Sequence, residues 1–210
     1  MINQRLFDQY KIDTKKNLNI QRTCAKPFDT LLIDKQGSCY ACECTAWLPQ
    51  SIGNLRLKTL EQILNSDMRQ HLQESVSDST YRYCNEHQCS YLKANNVPDK
   101  QDTHIKHLRL AFDESCNLRC PSCRTGLIFH KDGKEFDSRK SLADKVNTWL
   151  HTYEHNIQVH IGSDGDPFAS QVYRRFMEQT PKRDNIKYSM LTNGLMFKEF
   201  YNTVPHIIDN

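Results

Sequence analysis

The chain has 210 residues and a net charge of +3, with 38% hydrophobic and 25% charged residues. This composition is typical of a folded globular protein. The net charge is small and the basic residues are scattered, so we expect no binding to nucleic acid or to a membrane surface. No apolar run approaches the ~20 residues that span a bilayer. The polar N-terminus lacks the apolar stretch of a secretory signal, which predicts a cytoplasmic protein.

The first region of the chain, from about Cys24 to Leu92, places six cysteines around one predicted helix. Thr59 and Gln62 have the spacing of a capping box at the start of that helix. Its apolar face repeats at helical spacing. The residues of this face are Leu60, Ile63, Leu64, Met68 and Leu72. A region with so few apolar residues to bury is expected to gain stability from a bound cluster. The polar stretch 93–102 is predicted to be a linker.

The second region alternates strand and helix patterns, which predicts an α/β fold with parallel strands. The strands are expected at Leu108–Phe112, Ile157–Ile161 and Ile186–Met190. Ser141 is predicted to cap one helix and Val172 to lie in another, whereas 131–140 is predicted to be a solvated loop. In such folds ligands bind at the carboxyl ends of the strands, and the motifs of this region all follow strands.

Cysteine is the unusual residue of the chain, with nine copies. An odd number of cysteines without an export signal is typical of metal ligands or catalytic thiols rather than disulfides. Eight of them fall into three tight groups, and Cys24 stands apart. The groups are Cys39/Cys42/Cys44, Cys84/Cys89 and Cys116/Cys120/Cys123. This clustering favours metal binding over the alternative of isolated buried thiols.

The third group, Cys116-x3-Cys120-x2-Cys123, directly follows a predicted strand. Three thiolates on one loop can hold three corners of a [4Fe–4S] cluster and leave the fourth iron open to a ligand. No cysteine follows Cys123 to close the site. A zinc site that combines Cys120/Cys123 with Cys39/Cys42 is the alternative, but residues 43–119 separate the two pairs, against ~15–20 residues in zinc ribbons.

This motif resembles that of the radical S-adenosylmethionine (SAM) superfamily. The resemblance implies a partial (β/α) barrel in which SAM chelates the open iron of the cluster. It also implies an oxidoreductase chemistry, in which an electron from a donor such as flavodoxin or ferredoxin cleaves SAM reductively. The products are methionine and a 5′-deoxyadenosyl radical that abstracts hydrogen from the substrate.

Two further motifs fit the same resemblance. Gly165-Asp166-Pro167 is similar to the family's Gly-Gly-Glu-Pro loop, which receives the SAM amino group, although an ordinary turn has the same composition. Thr192-Asn193-Gly194 matches a tripeptide found near the SAM ribose. Two positions differ from the family pattern. An aromatic residue is usual where this chain has Ser122, and Glu is usual where it has Asp166. Arg124 is expected to face solvent.

The first region resembles a SPASM or twitch module, which carries an auxiliary cluster in many radical SAM enzymes, often ones that modify peptides. The resemblance implies an auxiliary [4Fe–4S] cluster held by Cys84 and Cys89, with Cys24 and either Cys42 or Cys44. Cys39 is then a spare thiol, and a structural zinc knuckle is the alternative. Such modules usually follow the barrel, whereas here the module comes first.

We therefore predict two domains: an auxiliary-cluster module over 1–98 and the N-terminal part of a radical SAM barrel over 99–210. Three β/α units are fewer than the barrel of the family contains, so a truncated chain is expected. The predicted function is hydrogen abstraction from an unidentified substrate, with a peptide as one candidate. A non-catalytic iron–sulfur electron relay and a zinc-stabilised binding module are the alternatives.

Overall fold

A single sheet runs through the protein in this computed structural model, which describes residues 23–43, 45, 51–85, 87–94 and 103–208. The sheet has six strands in the order β3-β2-β1-β4-β5-β6. The strands are β1 Thr30–Asp34, β2 Ser38–Tyr40, β3 Gly53–Asn54, β4 His107–Ala111, β5 Ile157–Ile161 and β6 Ile186–Met190. The three strands predicted for the second region are therefore confirmed as β4, β5 and β6, whereas β1 to β3 were not predicted.

The direction of the strands makes this a mixed α/β sheet. Strands β1, β4, β5 and β6 are parallel, and β2 and β3 continue the sheet from β1 in antiparallel pairing. The β1–β4 pair joins the two regions of the chain, with Leu31 opposite Leu108 and Ile33 opposite Leu110. The first region is thus part of the same sheet as the second. The predicted linker lies largely outside the described residues.

Helices follow β3, β4, β5 and β6, and one short helix precedes β1. They are α1 Lys26–Asp29, α2 Leu60–Leu64, α3 Asp67–Ser77, α4 Ser90–Lys93, α5 Gly133–Thr152, α6 Gln171–Gln179, α7 Phe197–Phe200 and α8 Pro205–Ile208, with a 3₁₀ turn at Tyr201–Thr203. None of the helices in the described residues is both long and apolar enough to cross a membrane.

The helix predicted in the first region is in fact two helices. The capping box of Thr59 and Gln62 is confirmed at the start of α2. However, α2 ends at Leu64, and the Ser66 side chain accepts a hydrogen bond from the Arg69 backbone N–H to begin α3. A serine that caps a new helix competes with continuation of the old one, which explains the break.

The prediction of a loop over 131–140 was wrong, because α5 already begins at Gly133 and Ser141 lies inside it. Charged residues dominate this first part of α5, but two side chains pack inward. Phe136 lies against the main core, and Arg139 is buried and pairs with Asp113. These two contacts supply the tertiary stabilisation that the local charge pattern does not indicate.

The two faces of the sheet differ in polarity. One face carries two cross-strand rows of apolar residues, Leu31–Leu108–Val159–Tyr188 and Ile33–Leu110–Ile161–Met190. Helix residues such as Leu142, Val146 and Phe176 join these rows in one core. The opposite face carries the half-buried row Leu32–Arg109–His160–Ser189. The apolar face therefore packs into the core of the fold, whereas the polar face is only half-buried along this row.

Candidate functional site

The loops that follow β4, β5 and β6 meet at the carboxyl edge of the sheet. In the β4 loop, the Cys116 backbone N–H donates to the Ile128 carbonyl at 2.9 Å, which closes the cysteine loop at its base. From the β6 loop, Asn193 Nδ2 lies 3.7 Å from Cys116 Sγ and 2.8 Å from Asn117 Oδ1. The structure thus brings the predicted Thr-Asn-Gly motif against the first cysteine of the C-x3-C-x2-C motif.

The three cysteines of this loop are accessible. Cys116 is half-buried, and Cys120 and Cys123 are exposed. A tight turn joins the last two, since the Cys123 N–H donates to the Cys120 carbonyl at 2.9 Å. Exposed thiols on one loop are compatible with a cluster whose open iron binds a ligand from solution.

Arg124 is partly exposed, as predicted, but its guanidinium is also bound to two loops. Its Nη1 donates to the Glu114 carbonyl at 2.7 Å, and its Nη2 donates to the Asp164 carbonyl at 2.8 Å and lies 3.5 Å from Cys123 Sγ. Partial burial opposes the charge of Arg124, but the hydrogen bond to Cys123 and the nearby Cys116 thiol hold its pKa above the usual arginine value. The guanidinium therefore links the β4 loop, the β5 loop and a candidate cluster ligand.

Gly165 allows the β5 loop to pack directly against the β4 loop. A Cβ atom at this position would lie 2.6 Å from the Ser115 carbonyl oxygen and 2.8 Å from that of Asp113. Both distances are shorter than real Cβ contacts, so only glycine fits. The Asp166 N–H also donates to the Ser115 carbonyl at 2.9 Å. The glycine of the predicted SAM loop thus sets the separation of two loops beside Cys116.

Asp166 is buried, and both oxygens of its carboxylate accept hydrogen bonds within the protein. Oδ1 accepts from the backbone N–H groups of Phe168 and Ala169, each at 3.0 Å. Oδ2 accepts from the Thr192 hydroxyl and the Asn193 N–H, each at 2.7 Å. The carboxylate therefore ties the β5 loop to the β6 loop. Pro167, next to it, is also buried.

A buried polar network supports the cysteine loop from below, and the sequence did not reveal it. Asp113 is fully buried, accepts from the hydroxyls of Ser115 and Ser170, and pairs with Arg139 at 3.4 Å. Ser115 is close to Asp113 in sequence, but Ser170 and Arg139 lie on other elements, so no local pattern marks the network. The network holds the chain just after β4, three residues before Cys116.

Glu114 adds an ionic contact to this support, because it pairs with Lys35 in the β1–β2 turn and faces Arg139 at 3.9 Å. Partial burial acts to raise the pKa of Glu114, but the hydrogen bond and charge of Lys35, with the charge of Arg139, hold it below the usual glutamate value. The carboxylate therefore stays ionised beside the cysteine loop at neutral pH.

A second group of thiols lies in the first region. Cys24, Cys42, Cys84 and Cys89 line one pocket, whose other walls are largely apolar: Ala41, Leu72, Val76, Tyr81 and Leu92. Burial raises the pKa of the Cys24 thiol to about 12, and the neighbouring Cys42 and Cys89 act in the same direction. A bound metal is what stabilises a thiolate in such surroundings. Four thiols around one apolar pocket are a donor set that fits an iron–sulfur cluster.

The other two cysteines of the first region differ from these four. Cys39 lies on β2 with its side chain in the main core, where its Sγ lies 3.7 Å from the Gly37 carbonyl. Burial raises the pKa of this thiol to about 12 as well. Cys39 does not line the pocket. Cys44 lies outside the described residues.

Glu43 fastens the loop of Cys42 to the sheet. Its carboxylate pairs with Arg109 on β4 at 2.8 Å and with Lys26 at 3.5 Å. Partial burial acts to raise the pKa of Glu43, but these two cations hold it below the usual value. The second thiol group is therefore tied to the polar face of the sheet.

Within the part of the chain that the structure describes, no three His, Cys, Asp or Glu side chains converge closely enough to bind one metal ion. A cluster binds each thiolate through a different iron, so its ligands need only surround a common space.

Residues 24–90 match the family model of SPASM, an iron–sulfur cluster-binding domain. This range contains the four cysteines of the pocket, so the match implies that the first region binds an iron–sulfur cluster, and such domains are typical of radical SAM enzymes. No curated protein and no solved structure matches the chain.

Proposed function

We propose that this chain is part of a radical SAM enzyme, with a SAM-binding [4Fe–4S] cluster on Cys116, Cys120 and Cys123. The observation that carries the proposal is the meeting of three loops at the carboxyl edge of β4, β5 and β6. Asn193 contacts Cys116, and Gly165 packs against the backbone just before it. The SPASM match in the preceding region supports the same class of enzyme.

The chain's own residues have distinct roles in this proposal. Cys116, Cys120 and Cys123 hold the cluster, which supplies the electron that cleaves SAM. Asn193 orients the first cysteine and lies where the SAM ribose is expected. Because the Asp166 carboxylate already accepts four hydrogen bonds, its role is to hold the β5 and β6 loops together. The backbone carbonyls of the β5 loop are then the acceptors left for the SAM amino group.

We propose Cys24, Cys42, Cys84 and Cys89 as the ligands of an auxiliary [4Fe–4S] cluster. They line a pocket with apolar walls, which keeps water from the cluster and tunes its potential. Lys26 also lines the pocket and places a positive charge nearby. Cys39 is excluded from this set because its side chain lies in the main core.

The proposed reaction is the abstraction of a hydrogen atom from a substrate, and a peptide is the first substrate class to test. A flavodoxin or ferredoxin is the proposed electron donor. The cytoplasm is the proposed location, because thiols that bind iron–sulfur clusters must stay reduced and an oxidising compartment would not keep them so.

Electron paramagnetic resonance (EPR) tests the SAM site. Anaerobically reconstituted, dithionite-reduced protein should show a [4Fe–4S]⁺ signal that changes on addition of SAM. The SAM-sensitive signal should be absent from Cys120→Ala. A signal that does not respond to SAM would favour an electron relay, and zinc in place of iron would contradict the proposal.

Iron and sulfide analysis tests the auxiliary site. Cys42→Ala should lower iron by about one cluster's share. The matched variant Cys39→Ala should leave iron per chain unchanged, because that thiol lies in the core. Equal losses in the two variants would contradict the proposed ligand set.

A further inference from the structure

Arg124 makes three directed contacts that the proposed function does not use. Its guanidinium donates to the carbonyls of Glu114 and Asp164 at 2.7 and 2.8 Å, and lies 3.5 Å from the sulfur of Cys123. The two carbonyls belong to loops that follow different strands. The planar fork of arginine can satisfy all three acceptors at once, whereas lysine offers a single ammonium.

These contacts place a permanent positive charge beside a candidate cluster ligand. Reduction adds one negative charge to a cluster, so hydrogen bonds and cations near its sulfur atoms stabilise the reduced form. The other charges around this position are the carboxylates of Glu114 and Asp164. Glu114 is already paired with Lys35 and lies near Arg139. Arg119 lies in the same loop and is exposed.

We propose that Arg124 is a positioning residue of the cluster site. It fixes the Cys123 thiolate against the β4 and β5 loops, and its charge raises the reduction potential of the cluster. This inference rests on the proposed function, because it assumes a cluster on Cys116, Cys120 and Cys123.

The first test compares Arg124→Met with Arg119→Met. The Arg119 substitution removes the same charge from the same loop but leaves the contacts of Arg124 in place. EPR follows one-electron reduction of the cluster by dithionite at a series of fixed potentials. In Arg124→Met the ratio of reduced to oxidised cluster should fall about tenfold, which is 59 mV for a one-electron couple. Arg119→Met should shift the ratio clearly less. Equal shifts in the two variants would overturn the electrostatic part of the proposal.

The second test needs no cluster. Amide hydrogen exchange of the full-length, cluster-free protein should be faster over 114–124 and 163–166 in Arg124→Met than in Arg119→Met. Arg124→Lys keeps the charge but not the fork, so it should restore most of the potential and little of the protection from exchange. Exchange in Arg124→Met equal to that in Arg119→Met would overturn the positioning role.

The two tests also separate this inference from the proposed function. If the wild-type protein binds no cluster at Cys116, Cys120 and Cys123, the proposed function fails and the effect on potential fails with it. Hydrogen exchange still decides whether Arg124 joins the loops. A cluster that forms normally and is insensitive to Arg124→Met would overturn the inference alone.

Discussion

At the scale of single residues, Asp166 illustrates how one carboxylate can hold two loops. Its oxygens accept from three backbone N–H groups and one hydroxyl. Asp166→Asn turns one acceptor into a donor that faces other donors. We expect the free energy of unfolding to fall by about 1–3 kcal/mol, the usual cost of unsatisfied buried groups.

Urea unfolding of the cluster-free protein measures this effect. Asp184→Asn is the control, because Asp184 is an exposed acidic residue in the connection between α6 and β6. It should change stability by less than about 0.5 kcal/mol. An Asp166→Asn protein as stable as wild type would show that the carboxylate does not brace the loops.

At the scale of elements, the contact between the β4 and β5 loops depends on Gly165. Gly165→Ala would place a methyl group 2.6 Å from the Ser115 carbonyl and push the loops apart. We expect the free energy of unfolding to fall by about 1–3 kcal/mol, as it does at other overpacked sites, and the iron content at the Cys116 site to fall as well. Thermal or urea unfolding with iron analysis checks both effects.

Gly126 provides the matched control for this substitution. It lies in the cysteine loop, and a Cβ atom there would meet nothing within 4 Å. Gly126→Ala should therefore leave both stability and iron content unchanged. A similar loss in the two variants would point to general sensitivity of the loop rather than to the close approach at Gly165.

The sequence predicted the elements whose pattern is local and regular. Strands β5 and β6 alternate apolar and polar residues over their full length, and β4 does so up to Leu110, so their existence and order could be predicted. Strands β2 and β3 have only three and two residues, too few for any periodicity. In β1, Leu31 and Ile33 alternate inward, but the apolar Leu32 between them hides the pattern.

The candidate site shows the same limit. The cysteine motifs are local, and their spacing identified them. The contacts of Arg124 were missed because two of its acceptors are backbone carbonyls, one in its own loop and one in the β5 loop, and carbonyls carry no side-chain signature. Cys39 and Cys42 belong to one motif, yet only the short strand β2 determines that the Cys39 side chain turns into the core.

At the scale of the whole molecule, Glu43 links the two regions through Arg109, and it also pairs with Lys26 within the first region. Glu43→Gln should lower the free energy of unfolding by about 1 kcal/mol at neutral pH, which is the upper end of the range for partly exposed ion pairs. The pKa of Glu43 is lowered in the folded protein, so its contribution is present above the unfolded glutamate pKa of 4.5 and is lost as the pH falls below that value.

Urea unfolding of cluster-free wild type and Glu43→Gln across this pH range checks the prediction. The two stability curves should be separate at neutral pH and converge in acid. Glu154→Gln, at an exposed position, should follow the wild-type curve throughout. Curves that stay parallel in acid would show that the ion pairs with Glu43 contribute nothing.

The parallel pairing of β1 with β4 has a consequence for biogenesis. Thr30 pairs with His107, so the ribosome must synthesise most of the first region and the chain that follows it before this contact can form. Pairings between segments so distant in sequence form slowly, because the entropic cost of closing the loop precedes any gain from contact. During translation one edge of β1 therefore stays unpaired until β4 emerges, and the sheet is complete only after β6 has been made.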